Sequence, residues 1–194
     1  MKYWQILLLC LSLLATACGG DDDGPNDDNE EEEINSGVLL LSQVNVGTRS
    51  LSFVDADGAD GPLDVVALGG TLDANATYDA YLGLSSEQSL PASFTADGLA
   101  MLDVSVEVAD ESDEHQVFYL FNGLDATYTY ADTDDDGRPL GLVGTITTGD
   151  PGTGTLTVVL RHEPTKDAAG VSEGDITNAN GETDIMVEFD VTIE

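Results

Sequence analysis

The sequence predicts an all-β domain, an antiparallel β-sandwich of immunoglobulin-like architecture. From Gly37 onward, apolar and polar residues alternate in many short runs, as they do in strands that bury one face. Glycine, aspartate, asparagine or proline separates one run from the next, and these residues favour tight turns. No segment shows a sustained helical period. These three observations favour strands joined by short turns.

The runs can be placed in chain order. The first half contributes "GVLLLSQVNV", "SLSFVD", "LDVVAL" and "TYDAYLGL". The second half contributes "MLDVSVEV", "HQVFYLFN", "ATYTYA", "LVGTIT", "GTLTVVLRH" and "DIMVEFDVTI". Between the two sets, "SSEQSLPASFTADG" is the least regular segment and is the place where a short helix fits.

The first 17 residues have the features of a secretory signal peptide. One early charge, Lys2, precedes an apolar run from Ile6 to Leu14, which is too short to span a hydrocarbon core of ~30 Å. Small residues then lead to Cys18, and this pattern resembles the lipobox of bacterial lipoproteins, although Ala15 stands where leucine is usual. The prediction is a lipidated Cys18, the alternative being a plain signal peptide. With Cys10 removed in the signal, the mature domain has no free thiol and depends on packing for its stability.

Residues 18–36 form a predicted acidic tether, and residues 37–194 form the sandwich domain. The segment "GGDDDGPNDDNEEEE" has no apolar residue until Ile34, so it buries too little surface to offset the entropy of ordering. Acidic residues soon after a lipidated cysteine resemble the surface-export signal of Bacteroidota lipoproteins. The expected location is therefore the outer membrane, with the cell surface favoured over the periplasmic face. Several acyl chains on Cys18 suffice for permanent anchoring.

The chain is strongly acidic. It has 38 acidic and 5 basic side chains, and its formal net charge is −33. This balance excludes nucleic-acid binding through a basic face. Because the acids are spread over many segments, we interpret them as the proteome-wide habit of a halophilic organism, in which salt screens dense surface charge. An aspartate cluster in such a chain is therefore weaker evidence for a site.

The two histidines are predicted to lie at one end of the sandwich. His115 begins a strand that reverses at "NGLD" and returns to Asp132, and the chain then climbs and descends again to His162. Short connections favour antiparallel neighbours, so both histidines and the aspartate loop 132–138 share an end. Alternation gives His115 the parity of Val117 and gives His162 the parity of Leu160. Each imidazole therefore continues an apolar face, and we expect it at the half-buried rim of the core.

This end is a candidate transition-metal site. His115 and His162 offer nitrogen ligands for Zn²⁺ or Cu²⁺, and Glu114, Glu163 or a loop aspartate offers an oxygen. The alternative is structural: each histidine hydrogen-bonds its acidic neighbour and braces the end of its strand. A pH-sensing role is a further alternative, since imidazoles beside carboxylates titrate near neutrality.

The loop "DTDDDG" is a candidate Ca²⁺ site. It matches the first six positions of the calcium-loop signature, with Asp132, Asp134 and Asp136 as donors and Gly137 at the turn. Val143 occupies the place of the bidentate glutamate, so an EF-hand is excluded. "DADGADG" repeats the pattern more weakly at Asp55, Asp57 and Asp60. The alternative is a solvated turn in an aspartate-rich protein.

Catalysis has little support in the sequence. No cysteine nucleophile survives maturation, and no phosphate-binding glycine loop or serine elbow precedes a helix. Carboxylate pairs suited to glycoside hydrolysis occur, but so many acids produce pairs by chance. The sequence predicts a non-enzymatic protein.

The C-terminal half resembles a family of Bacteroidota lipoproteins. The resemblance rests on "DEHQVFY", on "ATYTYADTDDDGRPLGLVGTITTG" and on the segment from "GTLTVVLRHEP" to "DIMVEFDVTI". The front half shares only the "DADGADGP" hairpin and the "LDANATY" strand. The family has no established activity, but its frequent placement beside TonB-dependent outer-membrane receptors implies such a receptor as a partner. The leading hypothesis is a lipoprotein that captures a metal ion or metal complex for that receptor. The alternative is an adhesive or structural surface module with calcium-stabilised or solvated aspartate loops.

Overall fold

The computed structural model describes residues 33–57, 64–90, 93 and 95–194. The predicted signal peptide, Cys18, the tether as far as residue 32, and Asp60 lie outside the described residues. Ile34 and Ser36 are buried, so the packed domain begins shortly before the predicted boundary at Gly37.

The described residues form mainly strands. The two short helices are α1 (Ala96–Leu99) and α2 (Asp103–Asp110), and two 3₁₀ turns cover Val171–Glu173 and Ile176–Asn178. The strands are β1 (Ser36–Gln43), β2 (Gly47–Val54), β3 (Val66–Leu68), β4 (Gly70–Leu72), β5 (Thr77–Ser85), β6 (His115–Asn122), β7 (Ala126–Tyr130), β8 (Val143–Thr148), β9 (Gly152–His162) and β10 (Glu182–Ile193).

Two β-sheets enclose one core, in agreement with the predicted β-sandwich. The six-stranded sheet has the order β3-β2-β1-β5-β8-β7, and the four-stranded sheet has the order β4-β10-β9-β6. Neighbouring strands are antiparallel except β4 and β10, which are parallel. Alternate residues of both sheets meet in the core; they include Leu39, Leu41, Phe53, Leu82, Val117, Leu156, Val158, Leu160, Val187 and Phe189.

Two of the three predicted hairpins cross between the sheets instead. β6 and β9 belong to the four-stranded sheet, whereas β7 and β8 belong to the six-stranded sheet. Only β7 and β8 pair as expected. A hairpin and a crossing between sheets both reverse the chain through glycine and aspartate, so the sequence does not distinguish them. The strand directions are unaffected, and the prediction of a shared end is therefore compatible with this topology.

Most of the segment "MLDVSVEV" belongs to the helix Asp103–Asp110, so the predicted strand there is wrong. Its alternating valines also fit a helix, because Val104 and Val108 are one turn apart and both are buried, while Val106 is 38% exposed. α1 begins within the segment expected to contain a short helix and ends one residue beyond it, at Leu99. Leu99 of α1 packs with Val38 and Leu40 of β1, on the face of β1 opposite the core. β1 is therefore buried on both faces, which explains its unbroken apolar run.

Candidate metal centre

His115 and His162 lie directly opposite each other. His115 is the first residue of β6, His162 is the last residue of β9, and the antiparallel register pairs them. Their ring centroids are 4.6 Å apart. Val117 and Leu160, the next residues on the same faces, are in the core. The predicted common end and the predicted parity are both confirmed.

Both imidazoles are more buried than expected at a rim. The exposed fraction is 0% for His115 and 3% for His162. β9 lies between β6 and β10, and the turn from Glu111 to Glu114 precedes β6. The Glu114 amide donates to the Glu111 carbonyl at 2.9 Å, and the Glu163 amide donates to the Glu114 carbonyl at 2.6 Å. This turn is therefore fastened against the end of β9.

Asp184 joins the two histidines and is not among the predicted ligands. The pairing of β10 with β9 shifts between Thr183 and Ile185, so Asp184 is the extra residue of a β-bulge. Its side chain is 0% exposed, with Oδ2 3.8 Å from His115 Nε2 and Oδ1 3.8 Å from His162 Nδ1. Counting back from core residues Phe189 and Val187 places Asp184 on the outer face. No local signal in "GETDIMVEF" reveals the bulge.

The tautomer of His115 follows from its hydrogen bond. Its Nδ1 lies 3.1 Å from the Glu111 carbonyl oxygen, which can only accept, so Nδ1 carries the proton. The lone pair is then on Nε2, the atom nearest Asp184. Burial lowers the pKa of His115, with a smaller contribution in the same direction from His162. The neutral imidazole that metal binding requires is therefore the favoured form.

His162 faces a carboxylate on each side of its ring. Nδ1 lies 3.8 Å from Asp184, and Nε2 lies 3.6 Å from Glu114 Oε2. These distances exceed a normal hydrogen bond, and within the described part of the chain neither ring nitrogen has a hydrogen-bond partner. Since buried polar atoms are nearly always satisfied, both nitrogens of this ring, which is 4% exposed, are candidates to bind a ligand.

The three side chains fit one divalent metal ion. A ligand atom from each lies within 4.8 Å of the others, and no other His, Cys, Asp or Glu group among the described residues meets this criterion. Two donors bound to Zn²⁺ at ~2.0–2.1 Å in a tetrahedron are separated by about 3.4 Å. Each histidine lies 3.8 Å from one of the two Asp184 oxygens, so each histidine–carboxylate pair needs only a small contraction to reach this spacing. The hydrogen bond from His115 Nδ1 to a backbone carbonyl is the kind that orients histidine ligands to metals.

The other predicted ligands are divided between two places. Glu114 is beside His162, as described. Glu163 is exposed and has a φ of 47°, which turns the chain out of β9. Asp132, Asp134 and Asp136 are not brought into the histidine cluster.

The aspartate loop forms ion pairs with basic side chains of the same chain. Asp134 is buried, and its Oδ2 lies 2.9 Å from Arg138 Nε and 3.2 Å from Lys166 Nζ. Asp136 accepts from Arg138 Nη2 at 2.9 Å. Burial alone would raise the pKa of the Asp134 carboxyl, but the backbone amide of Arg138 and the Lys166 ammonium hold it below its usual value. The side chains of Arg138 and Lys166 supply positive charge at the loop, where the calcium prediction places an ion.

Asp132 also points to protein donors. Its two oxygens accept the Gly141 and Val143 amides, each at 2.8 Å. The three aspartates therefore do not converge on one point. The second candidate loop shows a turn, in which the Asp57 amide donates to Asp55 Oδ1 at 3.3 Å. A hydrogen bond of this kind, from a backbone amide to an aspartate two residues earlier, is typical of a local turn.

No helix in the described ranges is long and apolar enough to cross a membrane. Comparison of the chain with protein-family models, with curated proteins and with solved structures gave no match.

Proposed function

We propose that this protein binds a divalent transition-metal ion, with Zn²⁺ as the first candidate. The ligands are His115 Nε2, His162 Nδ1 and the Asp184 carboxylate. The observation that carries the proposal is the convergence of these three side chains: one ligand atom from each lies within 4.8 Å of the others, and each histidine lies 3.8 Å from an Asp184 oxygen. Two imidazoles and a carboxylate are a common ligand set for Zn²⁺, and a water molecule or Glu114 can complete four donors.

The role that fits this site is binding and not catalysis. All three side chains are at most 4% exposed, so a substrate has no access to a metal bound among them. A catalytic zinc keeps one position open to water or substrate. A buried ion is retained or transferred as an ion.

The cellular setting is proposed from the sequence. The signal peptide is removed, and a lipid on Cys18 then anchors an immunoglobulin-like sandwich at the outer membrane. The metal site then belongs to a capture protein, and a TonB-dependent receptor is the proposed recipient of the ion or of a metal complex. The resemblance to Bacteroidota lipoproteins supports this setting.

A second candidate function is a structural or adhesive surface module. The contacts of Lys166 and Arg138 with Asp134 favour the calcium-free form of such a module, because Asp134 already has two cationic partners from the chain itself. If the protein is such a module, Ca²⁺ binding at the aspartate loop does not contribute to the melting temperature, so neither Ca²⁺ nor a chelator changes it. Zn²⁺ then does not bind at the histidine pair.

Equilibrium dialysis against Zn²⁺ tests the metal proposal. We expect the purified protein to bind about one ion per chain, since three ligands hold a single site. Asp184→Ala should lose this ion, whereas Glu163→Gln, which removes a carboxylate at the same end, should keep it. Equal stoichiometry in Asp184→Ala and the unaltered protein would exclude the site.

Lipidation is tested separately. Labelled palmitate should be incorporated into the protein expressed in a Gram-negative host and should be absent from Cys18→Ser, because only a thiol at that position is acylated. In membrane fractionation, the Cys18→Ser variant should appear in the soluble fraction. Incorporation into Cys18→Ser would contradict the predicted anchor.

A further inference from the structure

We propose that Glu114 is the exchange ligand of the metal centre, the carboxylate through which a divalent cation reaches and leaves His115, His162 and Asp184. This inference rests on the proposed function and adds the path of the ion. A deeply buried site needs such a path if it is to capture and release metal.

Glu114 is the solvent-accessible group in contact with the cluster. Its side chain is 51% exposed, while those of His115, His162 and Asp184 are 0%, 4% and 0% exposed. Its Oε2 lies 3.6 Å from His162 Nε2. A hydrated cation can therefore meet this carboxylate without any opening of the fold.

His162 connects an outer and an inner position. The outer position lies between Glu114 Oε2 and Nε2, and the inner position lies between Asp184 Oδ1 and Nδ1. Both pairs consist of one carboxylate oxygen and one imidazole nitrogen, which is a ligand combination for Zn²⁺. An ion taken up at the outer position is thus separated from the inner ligands only by the His162 ring. A modest rotation of this imidazole brings the ion within reach of the inner ligands.

The backbone of Glu114 is fixed while its side chain is free to move. Its amide donates to the Glu111 carbonyl, and its own carbonyl accepts from Glu163. The long side chain extends into solvent from this anchored point, so rotation about its side-chain bonds can swing the carboxylate between solvent and His162. The same Glu111 carbonyl accepts from His115 Nδ1, which ties this turn to the inner ligands.

The charge around Glu114 favours cations. α2 ends just before this turn, and its last residues carry acids but no basic residue. A helix C-terminus has a partial negative charge that normally attracts basic side chains. Acidic side chains placed there are repelled by this partial charge. A passing divalent cation relieves this repulsion.

Metal-transfer kinetics test the assignment. Zn²⁺-loaded protein is mixed with excess 4-(2-pyridylazo)resorcinol to measure release, and Co²⁺ absorption in a stopped-flow instrument measures uptake. For Glu114→Gln we expect uptake and release both to slow by about tenfold or more, with a smaller change in Kd, because the carboxylate assists passage in both directions. Glu114→Asp, which keeps a shorter carboxylate, should restore part of each rate.

Glu163→Gln is the matched control. It removes the same charge from the residue that follows His162 and leaves Glu114 in place, so its rates should stay within about twofold of the unaltered protein if net charge alone is not responsible. Unchanged rates in Glu114→Gln would overturn the exchange role. Faster release with a matching loss of affinity would also overturn it, since Glu114 would then only hold the bound state. If the unaltered protein binds no Zn²⁺, it is the proposed function that fails.

Discussion

Replacing Lys166 by methionine should lower the free energy of unfolding by about 3 kcal/mol or more. The Lys166 ammonium is buried, lies 3.2 Å from Asp134 Oδ2 and 3.1 Å from the Pro139 carbonyl, and also donates to the Ser112 carbonyl at 2.5 Å. Methionine fills similar space but leaves all three acceptors without this donor. Urea denaturation of both proteins measures the loss.

An exposed ion pair provides the control for Lys166. Arg49 lies 3.6 Å from Asp73, and both side chains are more than 40% exposed. Arg49→Met removes a basic side chain from that pair, and we expect a change within about 0.5 kcal/mol, as is usual for surface ion pairs. Equal effects of the two substitutions would show that the Lys166 contacts do not hold the aspartate loop.

The stability of the protein should rise with Zn²⁺, and the rise should depend on both histidines. An ion that binds only the folded state adds about 2.7 kcal/mol to the free energy of unfolding when its free concentration is 100 times Kd. His115→Ala combined with His162→Ala should abolish this increment. Urea denaturation with and without Zn²⁺ separates the increment from the lower metal-free stability that the lost side chains cause.

Each protein serves as its own reference in this comparison. Glu163→Gln should show the same zinc increment as the unaltered chain, because it leaves all three ligands in place. A zinc increment that persists in the double histidine variant would assign the binding to other residues. Surface carboxylates are the obvious source in a chain with a net charge of −33.

The sequence contains enough information to place the histidines but not their partner. His115 and His162 stand at the ends of two regular strands, and the alternation of side chains in β6 and β9 is unbroken from each histidine into the core. Asp184 depends on a bulge, which shifts the face of one residue without a sequence signature. Strand periodicity therefore predicts the first two ligands and gives the wrong face for the third.

The aspartate loop shows a different limit. Its spacing matches a calcium signature, but Lys166 lies far along the chain from Asp134 and occupies the loop through tertiary contacts. The acidic composition indicates that such matches are common by chance in this chain. It does not indicate that Lys166 contacts the loop. The β-sandwich itself was predictable because alternation recurs in most strands. Which connections cross between sheets, and that Asp103–Asp110 is a helix, are decided by packing.

A crystal structure grown with Zn²⁺, with diffraction measured on both sides of the zinc absorption edge, tests the metal centre most directly. We expect one strong anomalous peak about 2.0–2.2 Å from His115 Nε2, His162 Nδ1 and an oxygen of Asp184. An anomalous map with no peak between these residues, at a zinc concentration that saturates binding in solution, would contradict the account.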